Sequence, residues 1–185
     1  MLAQDLIAFE QQVAEEFEQG KIRAPIHLSG GNEEQLIKIF REVGPEDWVF
    51  STWRWHYHAL LKGIPPEKVL NEIRTKGMNA SFPEHRFYSS AIVGGILPIA
   101  TGVAWTGRKV WCFVGDMAST TGAFHEAMKY ATGHNLPLWF VTENNGFSTN
   151  APTDALWGPH GAPRWKSYSY ERTFPHMGIG KWVQF

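Results

Sequence analysis

Two short, unbroken apolar runs constrain this chain more than anything else in it. VWCFV at 110–114 ends directly in Gly115 and Asp116, and LWFV at 138–141 leads through Thr142 into ENNG at 143–146. Apolar residues without polar alternation suit strands covered on both faces, as in a parallel sheet. Between the runs, Phe124, Ala127, Met128 and Ala131 recur at helical spacing, and Gly133 closes that segment. Strand, helix and strand at this separation imply a right-handed crossover between parallel strands. KWVQF at 181–185 reads as a third strand. The expected fold is α/β: helices lead, and a small parallel sheet flanked by helices occupies the second half.

Upstream, Leu2, Leu6, Phe9, Val13 and Phe17 share one helical face, and Gly20 stops that helix. Asn32 with Gln35 three residues on forms a cap pair for a second helix carrying Leu36, Ile37, Ile39, Phe40 and Val43. Pro65 and Pro66 open a third, with Val69, Leu70 and Ile73, which ends at Gly77. Ala91 to Ala104 reads as a glycine-rich helix, apolar on nearly every side and hence buried. The apolar stretch from Ala91 to Trp105 is broken by Gly94, Gly95, Pro98 and Gly102 and falls short of the roughly 20 residues a membrane span needs. The first twenty residues are acidic and carry no signal-peptide pattern. A net charge of −1 and a pI near 6.7 give no footprint for nucleic acid or an anionic membrane. The single cysteine, Cys112, has no intramolecular partner and fits a buried position in a reducing compartment. One domain over residues 1–185 and a cytoplasmic location are expected.

In a parallel unit the strands end on one edge of the sheet, and ligands bind in the crevice beyond those ends. Asp116 follows the first strand and Asn145 the second. On neighbouring strands, about 4.8 Å apart, or on next-neighbours, their side-chain oxygens converge on one ion. A carboxylate and an amide oxygen are hard ligands, suited to Mg²⁺ or Ca²⁺, and two of them leave coordination sites for phosphate and water. The small polar loop Ala118-Ser119-Thr120-Thr121-Gly122 leads into a helix N-terminus, where backbone N–H groups favour an anion. Taken singly, Gly-Asp and Asn-Asn-Gly are also ordinary turn sequences.

Together, GDMASTTGAFHEAMKYATGHNLPLWFVTENNGF resembles the thiamine-diphosphate motif, Gly-Asp-Gly followed some thirty residues later by Asn-Asn. Three further segments match in order. GKIRAPIHLSGGNEE is similar to the entry segment of the alpha subunit in the first component of 2-oxo-acid dehydrogenase complexes (pyruvate, branched-chain and acetoin types). DWVFSTWRWHYHALLKGIPPEKVLNEI resembles its Tyr-Arg-x-His segment, and AIVGGILPIATGVA the segment that cradles the aminopyrimidine. The resemblance covers roughly residues 5–150, weakens through 151–170 and resumes at FPHMGIGKWVQF.

It implies a thiamine-diphosphate-binding fold holding thiamine diphosphate and Mg²⁺ or Ca²⁺. Asp116 and Asn145 match the side-chain metal ligands and Phe147 the position that offers a backbone carbonyl. Arg54 matches the diphosphate-gripping arginine, Trp53 stands where a tyrosine is usual, and Val93 matches the residue whose backbone meets the aminopyrimidine. Met117 and Ala118 fall in the diphosphate loop, with Met117 replacing the second glycine of the motif and Ala91 replacing another family glycine. His27 and His56 match histidines at the substrate end. An ordinary half-buried reading stays open for His56 and His58, His125 and Glu126 read as helix-face residues, and Arg172 and Lys181 as solvated. Family alpha subunits continue beyond this length with a histidine-containing loop, which His160 or Arg164 is placed to replace. The implied function is oxidative decarboxylation of a 2-oxo acid, completed by a beta-type subunit carrying the activating glutamate, in a hetero-oligomer. A transketolase-like ketol transfer and a non-catalytic scaffold subunit stand as alternatives.

Overall fold

The two apolar runs become the middle of a six-stranded sheet in the computed structural model, which describes residues 1–157 and 166–176. Helix α1 (Ala3–Glu18) and α2 (Glu33–Phe40) precede β1 (Trp48–Ser51), α3 (His56–Leu61) and α4 (Pro66–Lys76). Then come β2 (Ala80–Phe82), β3 (Phe87–Ser89), α5 (Ile96–Trp105), β4 (Val110–Gly115), α6 (Gly122–Gly133) and β5 (Leu138–Asn144). A small antiparallel ribbon of β6 (Phe147–Ser148) and β7 (Ala151–Pro152), a short α7 (Thr153–Trp157) and β8 (Lys166–Ser169) complete the described chain.

The sheet order is β2-β3-β1-β4-β5-β8, and only the β2–β3 pairing is antiparallel. The strands at 110–114 and 138–141 are direct neighbours, from Val110 opposite Leu138 to Gly115 opposite Glu143. The sheet is larger than the sequence reading allowed, because β1, β2 and β3 join it from the first half. Each has four residues or fewer, too short to show a period. Beside β5 the structure puts β8, from a segment that carried no strand expectation. The expected strand at 181–185 lies outside the described residues.

Both faces of β4 are covered, which is why its sequence shows no polar alternation. Trp111 and Phe113 point into a core built with Leu6, Val13 and Phe17 of α1 and with residues of α2 to α4. Val110, Cys112 and Val114 point the other way, into a second core with Ile96, Leu97 and Ala100 of α5 and Phe124 and Ala127 of α6. Burial pushes the Cys112 thiol up, so it stays protonated and apolar.

Two local expectations change. Asn32 does not cap α2 with its side chain; its amide N–H donates to Tyr168 Oη at 3.0 Å and Glu143 Oε1 at 3.3 Å. Glu143 is buried, and each donor it gathers offsets part of the cost of desolvating its carboxylate, so the Asn32 amide turns to it and to Tyr168 and away from the helix end. His58 lies in the same buried group, with Nε2 3.2 Å from Glu143 Oε1 and Nδ1 2.7 Å from the Ser51 hydroxyl. Nor is the segment from Ala91 to Ala104 buried all round. Its helix starts only at Ile96, and Pro98, Ile99, Gly102 and Trp105 are exposed.

Phe113 is fully buried and stacks on Phe40 and His58. Truncating Phe113→Ala is expected to cost about 3–5 kcal/mol, from lost transfer energy and the cavity left behind. Urea unfolding by circular dichroism measures this, and a loss under ~1 kcal/mol would mean that the α1–α4 layer does not close on β4.

Candidate functional site

Five parallel strands, β3, β1, β4, β5 and β8, end on one edge, and the chemistry-bearing residues follow those ends. Thr52, Trp53 and Arg54 leave β1, while Asp116, Met117 and Ala118 leave β4. Asn145 and Phe147 follow β5, and Tyr170 follows β8. All of these, with Val93, Glu143 and His176, line one cavity of about 110 Å³. Adjacency of β4 and β5 brings Asp116 and Asn145 to the same opening without any long-range coincidence of loops.

Asp116 is buried at 6% exposure, and burial pushes its carboxyl above the ordinary range. The groups that chiefly oppose this are the Thr153 hydroxyl and the backbone N–H groups of Asp116, Asn145 and Met117, none of them cationic. A buried carboxylate whose leading hydrogen-bond donors are neutral is a group that a divalent cation would stabilise. Asn145 takes the Phe147 N–H on its amide oxygen at 3.0 Å and donates to Tyr170 Oη at 3.3 Å, which fixes the amide orientation. Gly146, between Asn145 and Phe147, has φ +74°, so the turn that presents Phe147 needs a left-handed residue. No cluster of three His, Cys, Asp or Glu side chains forms a metal site among the described residues. The donor set here is one acid, one amide and a main-chain carbonyl, oxygens of the kind Mg²⁺ and Ca²⁺ take.

Met117 needs no glycine-like backbone: φ −67° and ψ −38° are open to any residue. Its sulfur turns back to 3.6 Å from the Thr120 hydroxyl, although the residue still forms part of the cavity wall. Thr121 caps α6 by accepting the Phe124 N–H. Arg54 is held by its Nε donating to the Leu28 carbonyl at 3.1 Å.

The histidines fare differently. His56 is 1% exposed, packed between Phe9 and Trp55 with Nδ1 3.3 Å from Glu10 Oε1, and it does not line the cavity. His27 sits one layer behind the wall, its ring 6.0 Å from Trp53 and 4.8 Å from His176, with Nδ1 2.7 Å from the His176 carbonyl. His125 and Glu126 are exposed on α6, and Lys181, His160 and Arg164 lie outside the described residues. Sequence reasoning passed over Glu143, Thr153, Tyr170 and His176. It also put Arg172 in solvent, whereas that residue is half-buried with its guanidinium over the Phe147 ring. Tyr170, Arg172 and His176 lie in 166–176, which only tertiary folding brings back to the cavity, so no local pattern announces them.

Burial drives the His27 imidazole down to about 3, with Arg54 adding repulsion. A neutral ring donates Nδ1–H to the His176 carbonyl. An unfolded histidine titrates near 6.5, so it takes up a proton before the folded one does. The stability this contributes is present above pH 6.5 and drains away as pH falls from there toward 3. His27→Gln is therefore expected to lose less stability than wild type between pH 7 and 4, read as urea midpoints. Parallel curves for the two proteins would show that His27 is solvated.

Residues 2–156 match the profile of the dehydrogenase E1 component family. The alpha subunit of acetoin:2,6-dichlorophenolindophenol oxidoreductase from Bacillus subtilis is 31% identical over 165 residues, covering 80% of this chain and 50% of that one. The pyruvate dehydrogenase E1 component subunit alpha of Porphyra purpurea is 30% identical, covering 74% of this chain and 47% of its own length. A solved structure from Mycobacterium smegmatis, described as a thiamin diphosphate-dependent enzyme, aligns with 70% of this chain at 22% identity and TM-score 0.45. It covers 23% of that protein, and a likeness so loose says nothing about chemistry here. This chain spans about half the length of the curated relatives it matches. With well over half of its residues on the profile, it belongs to the dehydrogenase E1 component family.

Proposed function

We propose that this chain is the metal- and diphosphate-binding subunit of a thiamine-diphosphate-dependent 2-oxo-acid dehydrogenase. The observation that carries the reading is the convergence of Arg54, Asp116, Asn145 and Phe147 on one cavity at the carboxyl edge of the parallel strands. When bound, thiamine diphosphate supplies a nucleophilic carbon and an electron sink for the loss of carbon dioxide from a 2-oxo acid. Asp116, Asn145 and the Phe147 carbonyl would hold Mg²⁺ or Ca²⁺, and Arg54 would grip phosphate oxygens through a guanidinium fork. Val93, exposed at 54%, and Trp53 add apolar and aromatic wall to the same cavity, where a cofactor ring would exclude water.

A beta-type partner completes the site in this reading. The cavity of about 110 Å³ accommodates an ion and a phosphate group, whereas a whole ligand of drug size occupies roughly 300 Å³ or more. In this reading the beta-type subunit supplies walls that enclose the remainder. Between α5 and α6 a separate apolar depression of about 500 Å³, lined by Pro98, Thr101, Gly102, Trp105 and Tyr130, offers a surface of the composition that interfaces favour. A single domain over 1–185 in a cytoplasmic hetero-oligomer is the organisation we propose. Among the described residues no helix is long and apolar enough to cross a membrane.

A second reading, binding without turnover, draws on one observation: His56 does not reach the cavity, and His27 lies behind its wall. Placement of these two at the substrate end then requires the partner to reshape that end.

Calorimetric titration of thiamine diphosphate with Mg²⁺ into the purified chain tests the reading. Binding is expected to need the metal and to fall at least 10-fold in Asp116→Ala, because a charged ligand contact is lost. Equal binding by the variant, or binding that ignores metal, would sink it. Decarboxylation assays with and without a beta-type chain then separate the catalytic role from the binding role.

A further inference from the structure

The strip from Tyr170 to His176 follows β8 and folds back over the cavity, and nothing in its sequence marks it as a binding segment. Its seat is built. Thr173 N–H donates to the Gly30 carbonyl at 3.4 Å. A Cβ on Gly30 would lie 1.8 Å from Thr173 Oγ1, and one on Gly31 would lie 2.4 Å from the Glu171 carbonyl. Both glycines have positive φ, +58° and +93°, so the loop at 30–31 is shaped to let this strip lie against it. The same loop region anchors Arg54, through the Leu28 carbonyl.

Arg172 thereby comes to rest with its guanidinium 5.2 Å from the centroid of Phe147, on the turn that follows Asn145. Tyr170 Oη accepts from the Asn145 amide, which ties the strip to that turn a second time. Neither Arg54 nor Arg172 forms an ion pair with a carboxylate among the described residues. Burial and the like charge of Arg54 hold Arg172 below its ordinary range against the pull of Tyr170 and Asp116, and burial, with repulsion from both arginines, depresses His176. Arg54 and Arg172, both partly desolvated, repel each other at one opening, a cost in the ligand-free chain that the Asp116 carboxylate offsets only in part. An anion between them removes that cost.

We propose that Arg172 is a second diphosphate-binding residue, closing with Arg54 as a pair of guanidinium groups on the phosphate end of the ligand. The ligand class is an organic diphosphate presented with a divalent cation, and the inference rests on the function proposed above. A guanidinium suits the position because it stays charged when partly buried, stacks on an aromatic face and offers paired donors to phosphate oxygens. Seating it on Phe147 couples it to the metal loop: the turn that offers the Phe147 carbonyl also carries the ring under Arg172.

Calorimetric titrations of the whole chain with inorganic pyrophosphate plus Mg²⁺, and with thiamine diphosphate plus Mg²⁺, test this. Arg172→Ala is expected to weaken both about 10-fold, the scale of one charge-assisted contact. Arg172→Lys should recover only part of that loss, and Lys68→Ala, an exposed cation on α4, should change nothing. Melting temperature without ligand should not fall in Arg172→Ala, which separates a binding role from a structural one. Unchanged affinity in Arg172→Ala, or an equal loss in Lys68→Ala, overturns the proposal and leaves the function intact. Wild-type binding of pyrophosphate but not thiamine diphosphate, lost in Arg172→Ala, keeps the clamp and removes the cofactor assignment. Binding of neither probe overturns both.

Discussion

The parallel pairing of β4 with β5 is the constraint on which the rest depends. Six residue pairs, Val110 with Leu138 through Gly115 with Glu143, set the two strand ends level. A one-residue slip in that register would turn every side chain to the opposite face and exchange the two cores. Because both faces of β4 are buried, Trp111 and Phe113 on one side and Val110, Cys112 and Val114 on the other leave only one register in which both cores fill. Apolar packing thus sets the level of the strand ends that carry Asp116 and Asn145, and the Asn145 N–H on the Asp116 carboxylate adds a polar tie at the site itself.

A second layer of organisation is polar and buried. Glu143 collects the Tyr168 hydroxyl, the Asn32 amide and His58 Nε2, with Ser51 beyond His58. Glu10 receives the Ser29 N–H, and Glu33 receives both the Gly31 N–H and the Tyr57 hydroxyl. These contacts join α1, α2 and α3 to β1, β5 and β8. Breaking a satisfied group of this kind leaves a charge or donor stranded in low dielectric, so the members hold one another in place. Glu143 also belongs to the cavity wall, which makes the site's inner surface the end of a network reaching through the α1–α3 layer.

Substitution at the motif's second glycine illustrates how tertiary context decides what a residue means. Methionine at 117 reads from the sequence as an obstacle, since glycine permits unusual backbone and close approach. The backbone at 117 is right-handed helical, and the thioether folds toward Thr120. The positions where positive φ and close approach do require glycine are Gly30 and Gly31, against the returning strip. The profile match over 2–156 takes in the ends of β1, β4 and β5 that frame the cavity.

Much of the fold was legible in the sequence. The runs at 110–114 and 138–141, the helical period between them and the glycine and proline stops of α1 and α4 are local, and local rules decide them. The order of Asp116 and Asn145 at strand ends followed from that geometry, and the resemblance added Arg54, Trp53, Val93 and Phe147. What only the tertiary structure decided is whatever depends on partners distant along the chain. Strands of three or four residues such as β1, β2 and β3 carry no period of their own and exist because neighbours supply their hydrogen bonds. Asn32 left its helix cap for Glu143, more than a hundred residues away, and His56 went under the surface against Glu10. Arg172 came to lie over Phe147, a residue of the cavity wall, because the strip at 170–176 folds back across Gly30 and Gly31. A sequence reports the preferences of a residue and its near neighbours, whereas burial, cross-chain hydrogen bonds and the summed field of like charges exist only once the sheet has closed.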